Sequence, residues 1–468
     1  MDIQTGVREL QQKNFYEAIK IFEITLYSDP YNKVANLKLA VAYFHIGKVD
    51  HANAILKQYV KGYPDDVEAH LYIAKIKESK GEYTEAHKYY DICVELDKKD
   101  FKSYIKRASF LIRRERKQQA MKDIEKSIEL KAENPDAYNL LGLLQREKDK
   151  EQARRSFEKS LGYCKENIVA LENLSTIHMD EGNYLKAIDY LQMAVALQAV
   201  NENLFYQLGI CFLNIENKER AIENFEKVIQ LNPHIQLVFF MLGVLNKEIG
   251  EYEKAIKYYR KAIELAGSSQ LHTLFNEIGF CLLQLENYID AVRHFRDALD
   301  CYTNYGEARC NLGFAYYKLG DYDNAKIELN KALVIDTDMI EAHNNLYLVF
   351  MEQGDWVNAK KHLLCIENKI STYDYNVKMS VILMNQRNYS EAQRLLKKAE
   401  KENPNLPYAY NSMGLLMATQ GMYRKAKKKF QTANKKSEGE KIGKQNMIEL
   451  KKNLKTNKKS VKTRTGCF

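Results

Sequence analysis

Apolar residues return along this chain in short series with the period of a helix. Ala255, Tyr259 and Ala262 form one series, Ala291, Phe295 and Ala298 another, and Ala426, Phe430 and Ala433 a third. Positions i, i+4 and i+7 share one face of a helix. The leading alanines form a ladder at 18, 52, 86, 120, 153, 187, 221, 255, 291, 325, 359, 392 and 426. The spacing is nearly constant, the steps into Ala153 and Ala392 being slightly short and the step into Ala291 slightly long. Thirteen like-sized units are therefore expected to fill residues 1 to about 433.

Each unit reads as two helices. Twelve residues before most ladder alanines stands a second small residue, at Gly6, Ala40, Ala74, Ala108, Ser175, Gly209, Gly243, Gly279, Gly313, Ser380 and Gly414. Gly142 lies eleven before Ala153, and Tyr347 is the bulky exception. Small residues at this spacing let two antiparallel helices approach closely. Gly47, Gly81, Gly182, Gly250, Gly320, Gly354 and Gly421 sit five before their alanines, which suits a helix C-terminus. An aromatic follows two residues later in nine units, Trp356 among them, and reads as a packed turn residue. Units four and five ("RERKQQA", "REKDKEQA") lack both turn glycine and aromatic, which predicts looser stacking there. Proline costs a helix interior about 3 kcal/mol. Pro30, Pro64, Pro135, Pro233, Pro404 and Pro407 all fall between units, in keeping with the register.

The pattern resembles the tetratricopeptide repeat, a helix–turn–helix unit of about 34 residues. "EARCNLGFAYYKLGDYDNAKIELNKAL" (307–333) and "AYNSMGLLMATQGMYRKAKKKFQTA" (409–433) carry it most clearly. The resemblance implies an all-α, right-handed superhelical solenoid, with first helices lining the concave side and second helices the convex side. One repeat cannot bury its own apolar faces, so neighbours stabilise each other.

Composition narrows the chemistry. With 45% apolar and 28% charged residues the chain is globular in type, and it has no apolar run near the ~18 residues of a membrane span. The opening "MDIQTGVREL" lacks a signal-peptide core, so a soluble, intracellular and cytoplasmic protein is expected, with cilium or nucleus as further settings. The eight cysteines make no C-x-x-C pair and read as small buried thiols. "GEKIGKQ" (439–445) is one residue short between its glycines for a phosphate loop, and no metalloprotease, nucleophile-elbow or calcium-loop pattern occurs. The expectation is a non-enzyme with no catalytic residue, cofactor, metal or small-molecule substrate.

Function is then expected on the first helices, against proteins or extended peptide segments. Asparagines recur two or three residues before the small position: Asn139, Asn173, Asn276, Asn311, Asn344, Asn345 and Asn411. A carboxamide both donates and accepts, so a row of them suits a peptide backbone. The arrangement is similar to part of the asparagine ladder in the superhelical arm of O-linked N-acetylglucosamine transferase. Tyr206, Ile210, Phe240, Val244, Phe280, Phe314 and Tyr317 would supply an apolar strip beside it, the alternative being plain helix packing. The clamp by which chaperone-docking relatives hold a terminal carboxylate needs Asn just after the small residue. Val7, Val41, Lys75, Leu143, Ile210, Phe280 and Phe314 stand there instead.

Residues 434–468 carry eleven Lys and Arg against three Glu, so the chain's net +9 comes almost wholly from this end. The segment reads as a capping helix followed by a disordered tail. Lys451, Lys452, Lys455, Lys458, Lys459, Lys462 and Arg464 offer contact with an acidic surface, or simply solvation. Aromatic interleaving is lacking, so nucleic acid is not the expected partner. Long arrays of this kind resemble scaffold subunits of ciliary or cell-cycle assemblies. The other reading is a targeting arm that recruits an enzyme on another chain.

Overall fold

The computed structural model describes residues 2–198, 200–267, 270–437 and 442–456, with backbone alone at 445 and 451–456. Among them are twenty-seven α-helices and no strand. The chain divides into two compact units, residues 1–231 and 232–468.

The first unit holds seven hairpins. They are Ile3–Gln11 with Phe15–Ser28, Lys33–His45 with Val49–Gly62, Val67–Ser79 with Tyr83–Leu96, and Phe101–Arg113 with Lys117–Leu130. Pro135–Gln145 with Lys150–Tyr163, Ile168–Asp180 with Tyr184–Leu197, and Glu202–Asn214 with Lys218–Leu231 complete it. Within this unit each second helix also packs on the first helix of the next hairpin. All seven first helices begin on an Asp or Asn whose side chain accepts a backbone N–H, from Asp2 to Asn201. Such a cap is worth about 1 kcal/mol.

The second unit holds six hairpins and a closing helix. Its pairs are Gln236–Glu248 with Tyr252–Leu265, Leu271–Gln284 with Tyr288–Cys301, and Gly306–Leu319 with Tyr322–Ile335. Ile340–Gln353 with Trp356–Cys365, Thr372–Asn385 with Tyr389–Glu402, and Tyr408–Thr419 with Tyr423–Lys436 follow. Here Ser371 alone among the first-helix starts caps with its side chain. Helix Ile442–Thr456 lies against the last hairpin, with Leu450 buried beside Phe430 and Ala426.

Every ladder alanine is completely buried. The small residue of the first helix faces the bulky residue four positions beyond the ladder alanine. A Cβ on Gly209 would come within 2.5 Å of the Phe225 ring, and one on Gly279 within 2.6 Å of Phe295. Sizes compensate across this contact. Six of the seven glycines face an aromatic ring, Gly313 facing Leu329. Ala40, Ala108, Ser175 and Ser380 stand at the same register opposite Leu56, Ile124, Leu191 and Leu396, and Tyr347 opposite Leu363. The compensation is not strict, since Ala74 keeps its methyl opposite Tyr90 and bulk meets bulk at Tyr347 and Leu363, so the neighbouring side chains must adjust there.

The turns keep one geometry without always keeping glycine. Seven have glycine at φ between 73° and 83°. Five others put Lys13, Glu115, Glu216, Glu286 and Arg387 into the same left-handed region. Gly81 N donates to Glu78 O and Glu82 N to Lys77 O; Glu115 and Arg116 make the same two bonds in the following repeat. The turn of repeat 5 differs. Its loop is a residue short, Lys148 is not left-handed, and both Lys148 N and Asp149 N return to Gln145 O. Trp356 sits half-buried at its turn, packed against the core cluster that contains Tyr347 and Leu363.

Burial pushes the thiols of Cys93, Cys281 and Cys310 up to about 12. Cys301 and Cys365 depart from the expected burial and are exposed, because each is the last residue of a second helix. Cys467 lies outside the described residues.

Candidate partner-binding faces

In the first unit, the asparagines of repeats 5 and 6 bond within the chain. Asn139 is buried, and its Nδ2 donates to Asn167 Oδ1 at 3.0 Å. Half-buried Asn173 donates to Val169 O at 2.8 Å and accepts from Arg146 at 3.1 Å. Tyr206 and Ile210 are half-buried, the Tyr206 ring 5.9 Å from Phe225. Sequence reasoning passed over a basic, aromatic cluster on repeats 2 to 4. Phe44 meets Tyr72 edge-on at 5.6 Å, and Lys75 lies 4.5 Å over the Tyr72 ring. Burial, then the nearby Lys106, lowers the Lys75 pKa, while Glu68 acts the other way.

In the second unit the asparagine row becomes a set of links between repeats. Buried Asn276 donates to Glu307 at 3.1 Å and accepts from Asn311 at 3.0 Å. Buried Asn345 donates to Cys310 Sγ at 3.5 Å. Asn411, also buried, accepts from Asn446 of the closing helix at 2.9 Å. Asn344 is half-buried and accepts from Lys378. The amides are placed where a buried polar group must find a partner, and the adjacent first helix supplies it.

The apolar strip is the more accessible feature. Phe240, Val244, Phe280, Phe314 and Tyr317 are all half-buried on successive first helices. Phe314 and Tyr317 stack at 6.0 Å. Lys247 reaches over the Phe280 ring at 5.4 Å and Lys318 over Phe314 at 5.3 Å. Further along the same unit, Asn344, Leu348, Asp374, Val377, Lys378 and Tyr408 line a pocket of about 250 Å³. These residues come from the first helices of repeats 11, 12 and 13. Burial holds the Lys378 ammonium below the ordinary lysine range, against the opposing pull of Asp374. Lys378 stands two residues before the small Ser380, the register position that holds asparagine elsewhere, and that signal could have found it.

Lys451, Lys452 and Lys455 belong to the closing helix, with their side chains outside the described residues. Lys458, Lys459, Lys462 and Arg464 lie wholly outside them. Among the described residues no group of His, Cys, Asp and Glu is arranged to hold a metal ion, and no helix is long and apolar enough to cross a membrane.

Models of the tetratricopeptide repeat match residues 9–76, 101–134, 203–235, 238–269 and 306–338. No curated protein matches the chain in sequence. Among solved structures, the anaphase-promoting complex hetero-tetramer Cut9–Hcn1 is similar over 95% of both chains, at 11% identity and a TM-score of 0.42. YrrB, described as a tetratricopeptide-repeat protein with an unusual peptide-binding site, is 21% identical over 40% of this chain and 96% of its own, with a TM-score of 0.36. MamA is 28% identical over 36% and 92%, with a TM-score of 0.34. The family matches fall on the same register as the buried alanine ladder, and its fold is one that binds protein or peptide partners. The chain is a tetratricopeptide-repeat protein.

Proposed function

We propose that this protein is a non-catalytic scaffold that holds extended segments of partner proteins against its first-helix faces, as a subunit of a multiprotein assembly such as a ciliary or cell-cycle complex. The observation that supports this reading is the half-buried strip of Phe240, Val244, Phe280, Phe314 and Tyr317. Isolated apolar residues on a surface need no explanation, but a row of aromatic groups on successive helices matches the anchors that dominate interfaces. Lys247 over Phe280 is paired with Glu277 at 2.5 Å, whereas exposed Lys318 over Phe314 offers a cation to an acidic segment.

Affinity purification of the full chain followed by mass spectrometry tests it. A stoichiometric set of partners is expected, and Phe280→Lys with Phe314→Lys should release it while the thermal melt stays cooperative. A partner set indifferent to both substitutions, or a single catalytic partner, would count against the scaffold reading.

A further inference from the structure

Tyr83 opens the second helix of repeat 3, and Arg114 at the end of the next first helix lies 4.0 Å over its ring. One repeat later the ring is gone. Lys117 stands at Tyr83's register position, and it pairs with Glu147, which like Arg114 lies six residues before a ladder alanine. A lysine–glutamate pair has less bulk than a stacked ring. Beside that pair lies an open depression of about 660 Å³ between the second helix of repeat 4 and the turn of repeat 5. The shortened loop at Lys148 borders the same space.

Its chemistry is specific. Buried Leu144 and half-buried Met121 form an apolar floor that continues into the core of repeats 3 to 5. Gln118, Gln145 and Gln152 supply amides, and Gln145 Oε1 already accepts from Ser156. Three lysines on the rim, Lys117, Lys122 and Lys148, face one carboxylate, Asp149. That carboxylate accepts from the backbone of Glu151 and Gln152 as a helix cap. Lys122 and Lys148 are exposed and form no direct ion pair among the described residues, although Lys148 helps to lower the Glu147 pKa, behind Lys117 and Arg146.

We propose that this turn edge is a docking surface, separate from the first-helix faces, for an acidic partner segment that inserts one aromatic side chain. The inserted ring takes the place that this chain's own turn aromatic fills at the preceding junction. Carboxylates flanking it meet Lys122 and Lys148, and the rim's excess positive charge favours them over a basic segment.

The test uses the full chain and a short labelled peptide with glutamates flanking a single phenylalanine, read by fluorescence anisotropy. Saturable binding is expected. Replacing the peptide's phenylalanine by alanine should weaken it roughly tenfold, and so should Lys122→Glu with Lys148→Glu in the protein. Lys117→Tyr restores the repeat's ring, so it should abolish binding while the melting temperature stays equal to or above that of the parent. The proposal is overturned if the peptide does not bind. It is equally overturned if binding survives Lys117→Tyr and the charge reversals unchanged, since the peptide would then be held by the basic C-terminal residues.

Discussion

The junction between repeats 3 and 4 and the junction between repeats 4 and 5 share a register and differ in what fills it. At the first, Arg107 donates twice to Asp123 of its own repeat, at 2.8 and 2.7 Å, and once to Asp91 of repeat 3 at 2.9 Å. The turn edge beside it is closed by Tyr83 and Arg114. At the second, an exposed lysine–glutamate pair and an open pocket stand in the corresponding place. Neighbouring units of one repeat family can thus carry a closed seam and an open one without any change in their hairpins. The helices of adjacent repeats pack as closely at the second junction as at the first, contrary to the looser stacking expected there. The difference is confined to the turn edge, where loop length and the first residue of the second helix decide what fills the space.

The contrast can be broken at its strongest point. Arg107→Ala leaves Asp123, which is almost fully buried, without its cation, and should cost about 3 kcal/mol in chemical denaturation. Lys117→Ala at the other junction should give no measurable change, because both partners of its pair are well exposed. Equal losses at the two sites would erase the distinction. Next in size are Ala120→Leu and Ala153→Leu, which overpack equivalent hairpin interiors. Both should cost about 1–3 kcal/mol, and by the same amount if the short loop leaves the interior of repeat 5 untouched.

Acid sharpens the comparison from outside it. Burial lowers the pKa of His45, His178, His294 and His362, the last to about 4, where His343 adds to the effect. A histidine whose folded pKa lies below its unfolded value excludes a proton that the unfolded chain binds. The stability is therefore complete above about pH 6.5 and is lost as the pH falls toward the folded value. Melting temperatures should decline between pH 7 and pH 5, and His362→Gln should flatten part of that slope. The second junction holds no histidine, whereas His87 stands 3.8 Å from Asp91 at the first, so any histidine-linked change in the difference between Arg107→Ala and Lys117→Ala arises at the first. A gain rather than a loss is expected at a turn. Glu115 occupies a left-handed conformation that glycine adopts without penalty, so Glu115→Gly should stabilise by about 1 kcal/mol.

The hairpins were legible because their determinants are local. A buried alanine once in every repeat and a small residue twelve positions earlier are sequence features before they are structural ones. Other features were not legible, each for a physical reason. Glu115 and Arg387 adopt glycine's backbone geometry because two capping hydrogen bonds hold the turn, and residue type alone does not announce that. The turn-edge pocket was visible only as a missing glycine and a missing ring, whose consequence depends on what the adjacent repeat puts opposite. Asparagine was readable as a polar position on the first helix. Whether its amide faces a visitor or the next helix depends on how the adjacent repeat packs, which a pattern of residue types along one helix does not encode.

Those asparagines have a mechanical meaning. Interdigitated apolar side chains already favour one offset, and a directional bond between repeats narrows it further. The bonds from Asn139 to Asn167, Asn311 to Asn276, Asn345 to Cys310 and Asn446 to Asn411 act as detents. Shear by one helical step would break each bond and leave its buried partner (Asn139, Asn276, Asn345 or Asn411) unsatisfied, so these bonds oppose slippage between the helices they join.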